Sequence, residues 1–251
     1  KRFEIVLDSR RWRRMCFHGE CWVPSVVWSR VGLSARCEGG VVSAMLVDRD
    51  LKGFTDALAA KEPVPGGGGA AAYAGALGVA LGSMVANFTL GKRRYAAYED
   101  DLRRILTQAA DLRARLVSLV DGDAAAFAPL AHAYGIPKSD PSRDEALEAA
   151  AKAACDAPLK TMEQVCRAIA LLEELEEKGS GLLISDVGAG ALLSRAALEA
   201  ASLNVFVNTR SLKDRAYAEA LEARCDEMLG TWCPRAEALA AKVMGRIREE
   251  G

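Results

Sequence analysis

Histidine is nearly absent from this sequence: the 251 residues include only His18 and His132. A Ser-His-Asp triad and a multi-histidine metal site both require imidazoles, so this scarcity makes both improbable. No serine or cysteine lies in a recognisable nucleophile motif either. We therefore expect chemistry that depends on another type of side chain.

Paired cysteine motifs are also missing. The seven cysteines are odd in number, and none of them forms a CxxC pair. This favours a reducing compartment, and we predict a cytoplasmic protein. The segment from Cys16 to Cys21 contains a few potential metal ligands, but no second ligand pair follows at zinc-site spacing. Chance clustering explains this segment better, so we predict no metal site.

An excess of charge of one sign is absent as well, because the net charge is −1. We therefore expect neither nucleic acid nor a membrane as a partner. The uncharged run from Pro63 to Gly91 is long enough to span a bilayer. It consists mostly of Ala and Gly and includes Ser83 and Asn87, so its insertion signal is weak. A helix that is apolar on every side is typical of the centre of a bundle, and we predict a buried central helix here.

The composition changes at Met45. Residues 1–44 contain three of the four tryptophans, three of the seven cysteines and only two alanines. From Met45 onward about a fifth of the residues are alanine, and 30 acidic residues outnumber 25 basic ones. We interpret residues 1–44 as a separate appendage, disordered or introduced by an upstream start site, and residues 45–251 as the folded domain. The appendage contains no apolar stretch of signal-peptide length.

Helical periodicity dominates after Met45, and no segment alternates convincingly as a strand would. Pro129 is expected to kink the longest helix, and Gly230 to separate the last two. Apart from the central helix, the predicted ranges are approximately 49–60, 95–134, 143–156, 158–177, 186–209, 213–229 and 234–249. We predict an all-α fold, a multihelical bundle around the Ala/Gly-rich central helix.

Asp123 is the clearest exception to the apolar pattern. It lies four residues after Leu119 and four before Phe127, which places it on the apolar stripe of its helix. Asp121 is about 200° away around the helix and should face elsewhere. A core-facing carboxylate is costly unless paired, and burial raises its pKa toward the range useful for proton transfer. A catalytic role and a structural bond to a cation or helix terminus both remain open.

Two asparagines lie one turn apart on an Ala-rich helix face, Asn204 and Asn208. Their amides could bind a heteroaromatic ligand or form hydrogen bonds across a helix interface, and the pattern favours neither. Asp186 follows Ser185 at the start of the same helix, where an N-cap role is more common than catalysis.

Four consecutive glycines, Gly66–Gly69, precede the central helix, so free backbone amides could face an anion there. No GK[ST] follows them and no strand precedes them, so neither a P-loop nor a dinucleotide fingerprint is supported. A flexible turn is equally compatible with the pattern. Lys92 and Arg93 end the same helix, either as solvated charges or as partners of an anionic ligand tail.

Several short motifs occur in the order and at the spacing of one known family. They are Pro65-Gly66-Gly67-Gly68, Gly82-Ser83-Met84-Val85-Ala86-Asn87, Thr89-Leu90-Gly91-Lys92-Arg93, Leu119-Val120-Asp121-Gly122-Asp123-Ala124 with Ala126-Phe127, Ile136-Pro137-Lys138, Ala157-Pro158-Leu159, Ile184-Ser185-Asp186 and Leu203-Asn204-Val205. The ordered set covers roughly residues 48–230. It resembles the cyclodeaminase domain of formiminotransferase-cyclodeaminase and its stand-alone bacterial relatives, including methenyltetrahydrofolate cyclohydrolases.

The resemblance implies an all-helical homodimer that binds folate near the subunit interface, with Asp123 as the catalytic residue. Gly69 stands where relatives usually have serine, and Pro129 is unusual near such a site. We predict substrate-binding roles for Gly66, Gly67, Gly68, Lys92, Arg93, Asp121, Asp186, Asn204 and Asn208.

The activity implied by the resemblance concerns the N5/N10 one-carbon bridge of tetrahydrofolate. We expect a formiminotetrahydrofolate cyclodeaminase or, as the alternative, a methenyltetrahydrofolate cyclohydrolase. Both reactions need one proton shuttle and neither a metal nor a cofactor. The sequence does not separate the two, nor histidine degradation from one-carbon interconversion. A non-catalytic helical folate-binding or scaffold protein is the alternative from a different class.

Overall fold

The computed structural model describes residues 45–249, which form seven α-helices and no strand. The predicted all-α fold is therefore confirmed for this part of the chain, whereas the predicted appendage at 1–44 lies outside the described residues. The helices are α1 (Leu51–Ala59), α2 (Gly67–Thr89), α3 (Glu99–Gly135), α4 (Arg143–Ala154), α5 (Asp156–Lys178), α6 (Ile184–Thr209) and α7 (Arg215–Glu249). Short 3₁₀ turns occur at Leu46–Asp48, Arg93–Tyr98 and Gly181–Leu183.

α2 is the central helix of the bundle. It packs against α3, α5 and α6, and most of its residues are buried. Close approach depends on glycine, because a Cβ at Gly78 would lie only 2.6 Å from Ser194 Oγ of α6, and a Cβ at Gly75 only 2.9 Å from Val165 Cγ2 of α5. Larger side chains would push the neighbouring helices apart in a close-packed interior. The prediction of a buried Ala/Gly-rich central helix is confirmed.

α2 and α6 lie side by side and run antiparallel. Gly67, at the start of α2, faces Asn204 near the end of α6, whereas Gly78 faces Ser194 in its middle. At the other end, the Ser180 N–H donates to Thr89 Oγ1 at 2.8 Å and joins the end of α2 to the turn before α6. The start of α2 therefore lies beside the end of α6.

Two helical segments, Gly67–Thr89 and Gly181–Thr209, are long and apolar enough to cross a membrane by length and composition. Of the most apolar window in each, 61% and 44%, respectively, is buried inside the bundle. Burial of this kind is typical of a core helix, and one or two such segments are weak evidence for a membrane span.

The last two predicted helices are one helix, so the break expected at Gly230 was wrong. α7 runs without interruption through Gly230 and Pro234. A helical glycine costs only about 1 kcal/mol relative to alanine, which packing readily outweighs. Cys225 before the expected break and Leu239 after it are both buried in the main core. α3 likewise extends through Pro129.

Candidate active site

The start of α2 provides free backbone donors. Its N-cap residue, Gly66, has no side chain, and the first-turn amides of a helix have no acceptor within that helix. Asp123, from the middle of α3, supplies one: Gly69 N–H donates to Asp123 Oδ2 at 3.0 Å. The partial positive charge at a helix N-terminus favours a carboxylate in this position.

Asp123 can reach the start of α2 only because Gly68 has no side chain. A Cβ at Gly68 would lie 2.1 Å from Asp123 Oδ1 and 2.5 Å from its Cγ. These distances are far shorter than any van der Waals contact, so the carboxylate occupies the volume that another residue would need. Gly68 is therefore required for the position of Asp123.

The Asp123 carboxylate is partly buried and has no cationic partner among the described residues. Burial, the larger effect, raises the pKa of Asp123 above its ordinary value, and the hydrogen bond from Gly69 lowers it in part. Oδ1 accepts no hydrogen bond from any described residue. The carboxylate is thus bonded to a helix terminus and keeps one oxygen for proton exchange with a ligand.

A pocket of about 210 Å³ opens beside Asp123. Asp123 is the only charged residue among the described residues that line it. The lining consists of Pro63, Val64, Gly66, Gly67, Asp123, Phe127, Ala154, Asn204, Val207 and Asn208. Phe127 and Val207 supply apolar walls and were not predicted as site residues. The four-residue spacing from Asp123 to Phe127, one helical turn, is the signal that could have identified Phe127.

The two asparagines of α6 both line this pocket, and their amide groups are oriented by backbone carbonyls. Asn204 Nδ2 donates to Ala200 O at 2.9 Å, and Asn208 Nδ2 donates to Ala154 O at 3.0 Å. These bonds leave the Oδ1 atom of each amide as an acceptor. Two acceptors and a carboxylate suit a ligand that carries several N–H groups. Asn208 thus combines a bond to α4 with a position in the pocket.

Asp121 has a different environment from Asp123, as its helical phase predicts. Its Oδ1 accepts from Leu46 N–H at 2.6 Å and its Oδ2 from Val47 N–H at 3.4 Å. Asp121 therefore holds the 3₁₀ turn that precedes α1, and it does not line the pocket. The structure gives Asp121 a structural contact, and its contact with substrate stays a prediction.

Lys92, Arg93 and Asp186 are not near Asp123 within one chain. Lys92 and Arg93 follow the end of α2, and Asp186 lies in the first turn of α6, where Leu183 is the N-cap. α2 has 23 residues, so its two ends are separated by roughly 33 Å. A single protomer therefore brings together only part of the predicted set, Asp123 with Gly66, Gly67, Gly68, Asn204 and Asn208.

Comparison with known proteins identifies similar chains. A family model described as formiminotransferase-cyclodeaminase matches residues 50–227. The methenyltetrahydrofolate cyclohydrolase of Methylorubrum extorquens is 43% identical over 180 residues, which are 70% of this chain and 86% of that protein. The formimidoyltransferase-cyclodeaminase of Mus musculus is 34% identical over 206 residues, 80% of this chain. The match spans only 37% of the mouse protein.

A solved structure shows the same fold. The crystal structure of formiminotetrahydrofolate cyclodeaminase from Thermotoga maritima is similar with a TM-score of 0.70 and 28% sequence identity. The match covers 79% of this chain and 99% of the Thermotoga chain. The helical fold is therefore shared with a protein that matches over almost its whole length.

Proposed function

The chain belongs to the formiminotransferase-cyclodeaminase family, and from this premise we propose that it is a folate one-carbon enzyme acting on the N5/N10 bridge of tetrahydrofolate. The first activity in this proposal is formiminotetrahydrofolate cyclodeaminase, which converts 5-formiminotetrahydrofolate to 5,10-methenyltetrahydrofolate and ammonia. The observation that carries it is the Asp123 carboxylate, which has no cationic partner among the described residues and is held at the start of α2 in a pocket lined by two amide acceptors.

Asp123 acts as the proton shuttle in this proposal. N10 attacks the carbon of the protonated formimino group, and Asp123 takes the proton that N10 loses. The tetrahedral intermediate then receives this proton on its amino nitrogen and expels ammonia, which leaves the cationic methenyl bridge. The carboxylate also stabilises the positive charge of the amidinium and methenyl species. Asp123 and the substrate together account for the reaction, so the proposal includes no cofactor.

A second candidate is methenyltetrahydrofolate cyclohydrolase, favoured by the 43% identity to the Methylorubrum enzyme. In this reaction water attacks the methenyl carbon, Asp123 accepts a proton from the water, and a ring nitrogen leaves after protonation. The reacting carbon and the proton shuttle are the same in both cases, so one pocket can serve either activity.

A homodimer is also part of the proposal, supported by an exposed apolar face on α2 and α6. We call it the α2–α6 face; its large exposed side chains are Leu77, Phe88, Leu192, Leu203 and Val207. Two helices packed side by side at about 10 Å spacing and roughly 33 Å long present about 700 Å². A standard interface buries about 800 Å² per partner, so a second copy of the chain would cover this face.

The cellular setting is proposed on the same basis. Cys155, Cys166 and Cys225 are buried free thiols, which suits a reducing cytoplasm. We place α2 and α6 in a bundle core and in a dimer interface, not in a membrane. The cyclodeaminase activity would serve histidine degradation, which delivers the formimino group.

The test is a pair of spectrophotometric assays on the full chain. One follows the formation of methenyltetrahydrofolate from 5-formiminotetrahydrofolate, and the other follows the hydrolysis of methenyltetrahydrofolate. Turnover in the first, with ammonia released in equal amount, is the expected result. Turnover in the second alone would assign the cyclohydrolase activity, and folate binding without turnover would favour the non-catalytic alternative.

A further inference from the structure

A second cavity lies at the opposite end of α2 from Asp123. Its volume is about 730 Å³, against about 210 Å³ for the Asp123 pocket. The segment after α2, the end of α5, the turn before α6 and the last part of α7 form its walls. We call it the α7 cavity; its charged lining residues are Lys92, Arg94, Glu176, Glu177, Lys242 and Arg246. Pockets of roughly 300–1,000 Å³ hold drug-sized ligands, so the α7 cavity has room for a whole metabolite.

The walls of the α7 cavity carry more positive than negative charge. Four cations and two carboxylates line it, which leaves two positive charges in excess. Tyr95, which also lines the cavity, reports this excess. Burial raises the pKa of Tyr95, but hydrogen bonds from Gly181 and Ser180 lower it. The charges of Arg94 and Lys92 lower it further, and the net result is a pKa below the ordinary value. The electrostatic potential in the cavity is therefore positive.

Two of the cations are fixed by a buried carboxylate, that of Glu176. The Glu176 side chain is only 4% exposed, and its carboxylate accepts from Arg246 Nη1 at 2.7 Å and from Lys242 Nζ. The Lys242 side chain is 56% exposed. Its ammonium group has three N–H donors and can therefore bind Glu176 and a ligand at the same time. The α7 wall thus holds a cation in place before any ligand binds.

The other two cations, Lys92 and Arg94, have no acidic partner. Both side chains are exposed, and no acidic group within residues 45–249 forms an ion pair with either of them. The Arg94 guanidinium lies 5.9 Å from the centre of the Tyr95 ring. Arginine and lysine that no carboxylate neutralises form strong charge-assisted hydrogen bonds with an external anion. The α7 cavity therefore combines cations held by the protein with cations left for a ligand.

We propose that the α7 cavity binds a phosphorylated metabolite of about mononucleotide size. A phosphate monoester carries a charge of about −1.5 to −2 at pH 7 on one compact group, which matches the excess positive charge of the lining. Tyr95 supplies an aromatic surface for the organic part, and Leu182, which is 89% exposed, supplies an apolar one. Side-chain cations hold the phosphate, so no glycine-rich loop is required. The proposal does not rest on the proposed function, because Asp123 lies at the other end of α2, roughly 33 Å away.

Isothermal titration calorimetry of the full chain tests the site, with AMP as the probe and adenosine as its uncharged comparison. AMP should bind saturably and adenosine should not, because only AMP carries a phosphate. Arg94→Ala should raise the Kd for AMP at least about tenfold, the usual effect of losing one hydrogen bond to a charged group. Arg94 is exposed and forms no ion pair among the described residues, so this variant should fold normally.

Arg93→Ala is the matched control, because Arg93 is an exposed cation next to Arg94 that does not line the cavity. The Kd of this variant for AMP should stay close to that of the wild type. No saturable binding of AMP, equal affinity for AMP and adenosine, or equal effects of the two substitutions would each overturn the proposal.

Competition with tetrahydrofolate distinguishes a phosphate from the carboxylates of a folate as the anion. Saturating tetrahydrofolate should leave the Kd for AMP unchanged. Displacement of AMP would assign the cations of the α7 cavity to the folate and overturn the proposal. Arg94→Ala should also keep the wild-type turnover in both folate assays without AMP, and a loss of turnover would place Arg94 in the substrate site instead. Failure of the wild type in both folate assays would reject the proposed function and leave the AMP titration standing.

Discussion

At the scale of single residues, the position of Asp123 depends on its two glycine neighbours in α2. Gly69 contributes its N–H, and Gly68 contributes the absence of a side chain. A carboxylate at a helix N-terminus is stabilised by the helix dipole, whereas burial disfavours its charge. The combination keeps the pKa of Asp123 raised and the side chain held in one position.

Replacement of the carboxylate is the most direct test of its role. We expect Asp123→Asn to keep the fold and folate binding, because the amide oxygen can still accept from Gly69. Turnover should fall roughly 10²–10⁴-fold, the usual contribution of general acid–base catalysis. Steady-state kinetics, folate titration and circular dichroism of the purified variant measure these quantities.

Asp121→Asn is the matched control, two residues away on the same helix. It should keep its activity and weaken only the contact with Leu46 and Val47. Equal loss of activity in the two variants would contradict the assignment of different roles. An Asp123→Asn variant whose residual activity follows only its folded fraction would show a structural aspartate.

The requirement for glycine at position 68 gives a second prediction. Gly68→Ala should push the carboxylate aside, and a displacement of about 1 Å can lower turnover about 10²-fold. Gly69→Ala is the neighbouring control, because a Cβ there meets its nearest atom, Val120 O, at 3.4 Å. We expect this variant to retain its activity. If the two substitutions have the same kinetic effect, the close contact between residue 68 and Asp123 is not what positions the carboxylate.

The raised pKa of Asp123 predicts how activity and stability depend on pH. The shuttle must be ionised to accept a proton, so kcat/KM should fall as pH decreases through a pKa above the ordinary 3.8. The contribution of Asp123 to the free energy of unfolding changes with pH in the opposite direction. Because the folded pKa exceeds the unfolded one, the stabilising contribution is complete below the unfolded pKa and is lost as pH rises through the folded pKa.

Thermal unfolding and kinetics measured over the same pH series check both signs. The pH dependence of stability attributable to this group should disappear in Asp123→Asn. If kcat/KM falls only at pH values below the ordinary carboxyl pKa, burial does not determine the pKa of Asp123.

At the scale of helices, α2 and α7 show how glycine acts in opposite ways. In α2, Gly78 allows contact with Ser194 and the Gly190 carbonyl of α6. In α7, Gly230 has open space around the position of a Cβ. The same residue type is required in the first case and only tolerated in the second, and the difference depends on the neighbouring helix.

This contrast predicts opposite effects on stability. Gly230→Ala should stabilise the protein by about 0.5–1 kcal/mol, because alanine loses less backbone entropy in a helix. Gly78→Ala should destabilise it by about 1–3 kcal/mol through overpacking against α6. Denaturant unfolding monitored by circular dichroism measures both. A destabilised Gly230→Ala variant would indicate that α7 is interrupted there after all.

At the scale of the whole molecule, the α2–α6 face determines the predicted assembly. We expect a homodimer in light scattering at micromolar concentration. Leu77→Arg should convert it to a folded monomer, because Leu77 is 41% exposed near the centre of this face and burying an unpaired charge is costly.

Tyr134→Arg provides the control, because Tyr134 is exposed at the end of α3, on neither helix of the face. This variant should remain dimeric. A wild-type monomer, or a dimer unaffected by Leu77→Arg, would rule out this face as the interface.

The sequence alone determined the features that depend on local periodicity. Helical spacing predicted the all-α fold, most helix ranges and the different directions of Asp121 and Asp123, because these follow from 3.6 residues per turn along one chain. Composition predicted the central position of α2, because an uncharged helix rich in Ala and Gly can be buried on several sides.

Only the tertiary structure decided which residues meet. Gly68 lies against Asp123, and Asn208 bonds to Ala154, through contacts between segments that are distant in the chain. The antiparallel packing of α2 and α6 brought Asn204 beside the start of α2 and left Asp186 at the other end of the pair. Packing against the main core also keeps α7 helical through Gly230. These contacts depend on the spacing between helices, and the energy of each contact is set by both of the packed surfaces. The residue pattern along one segment therefore cannot predict them.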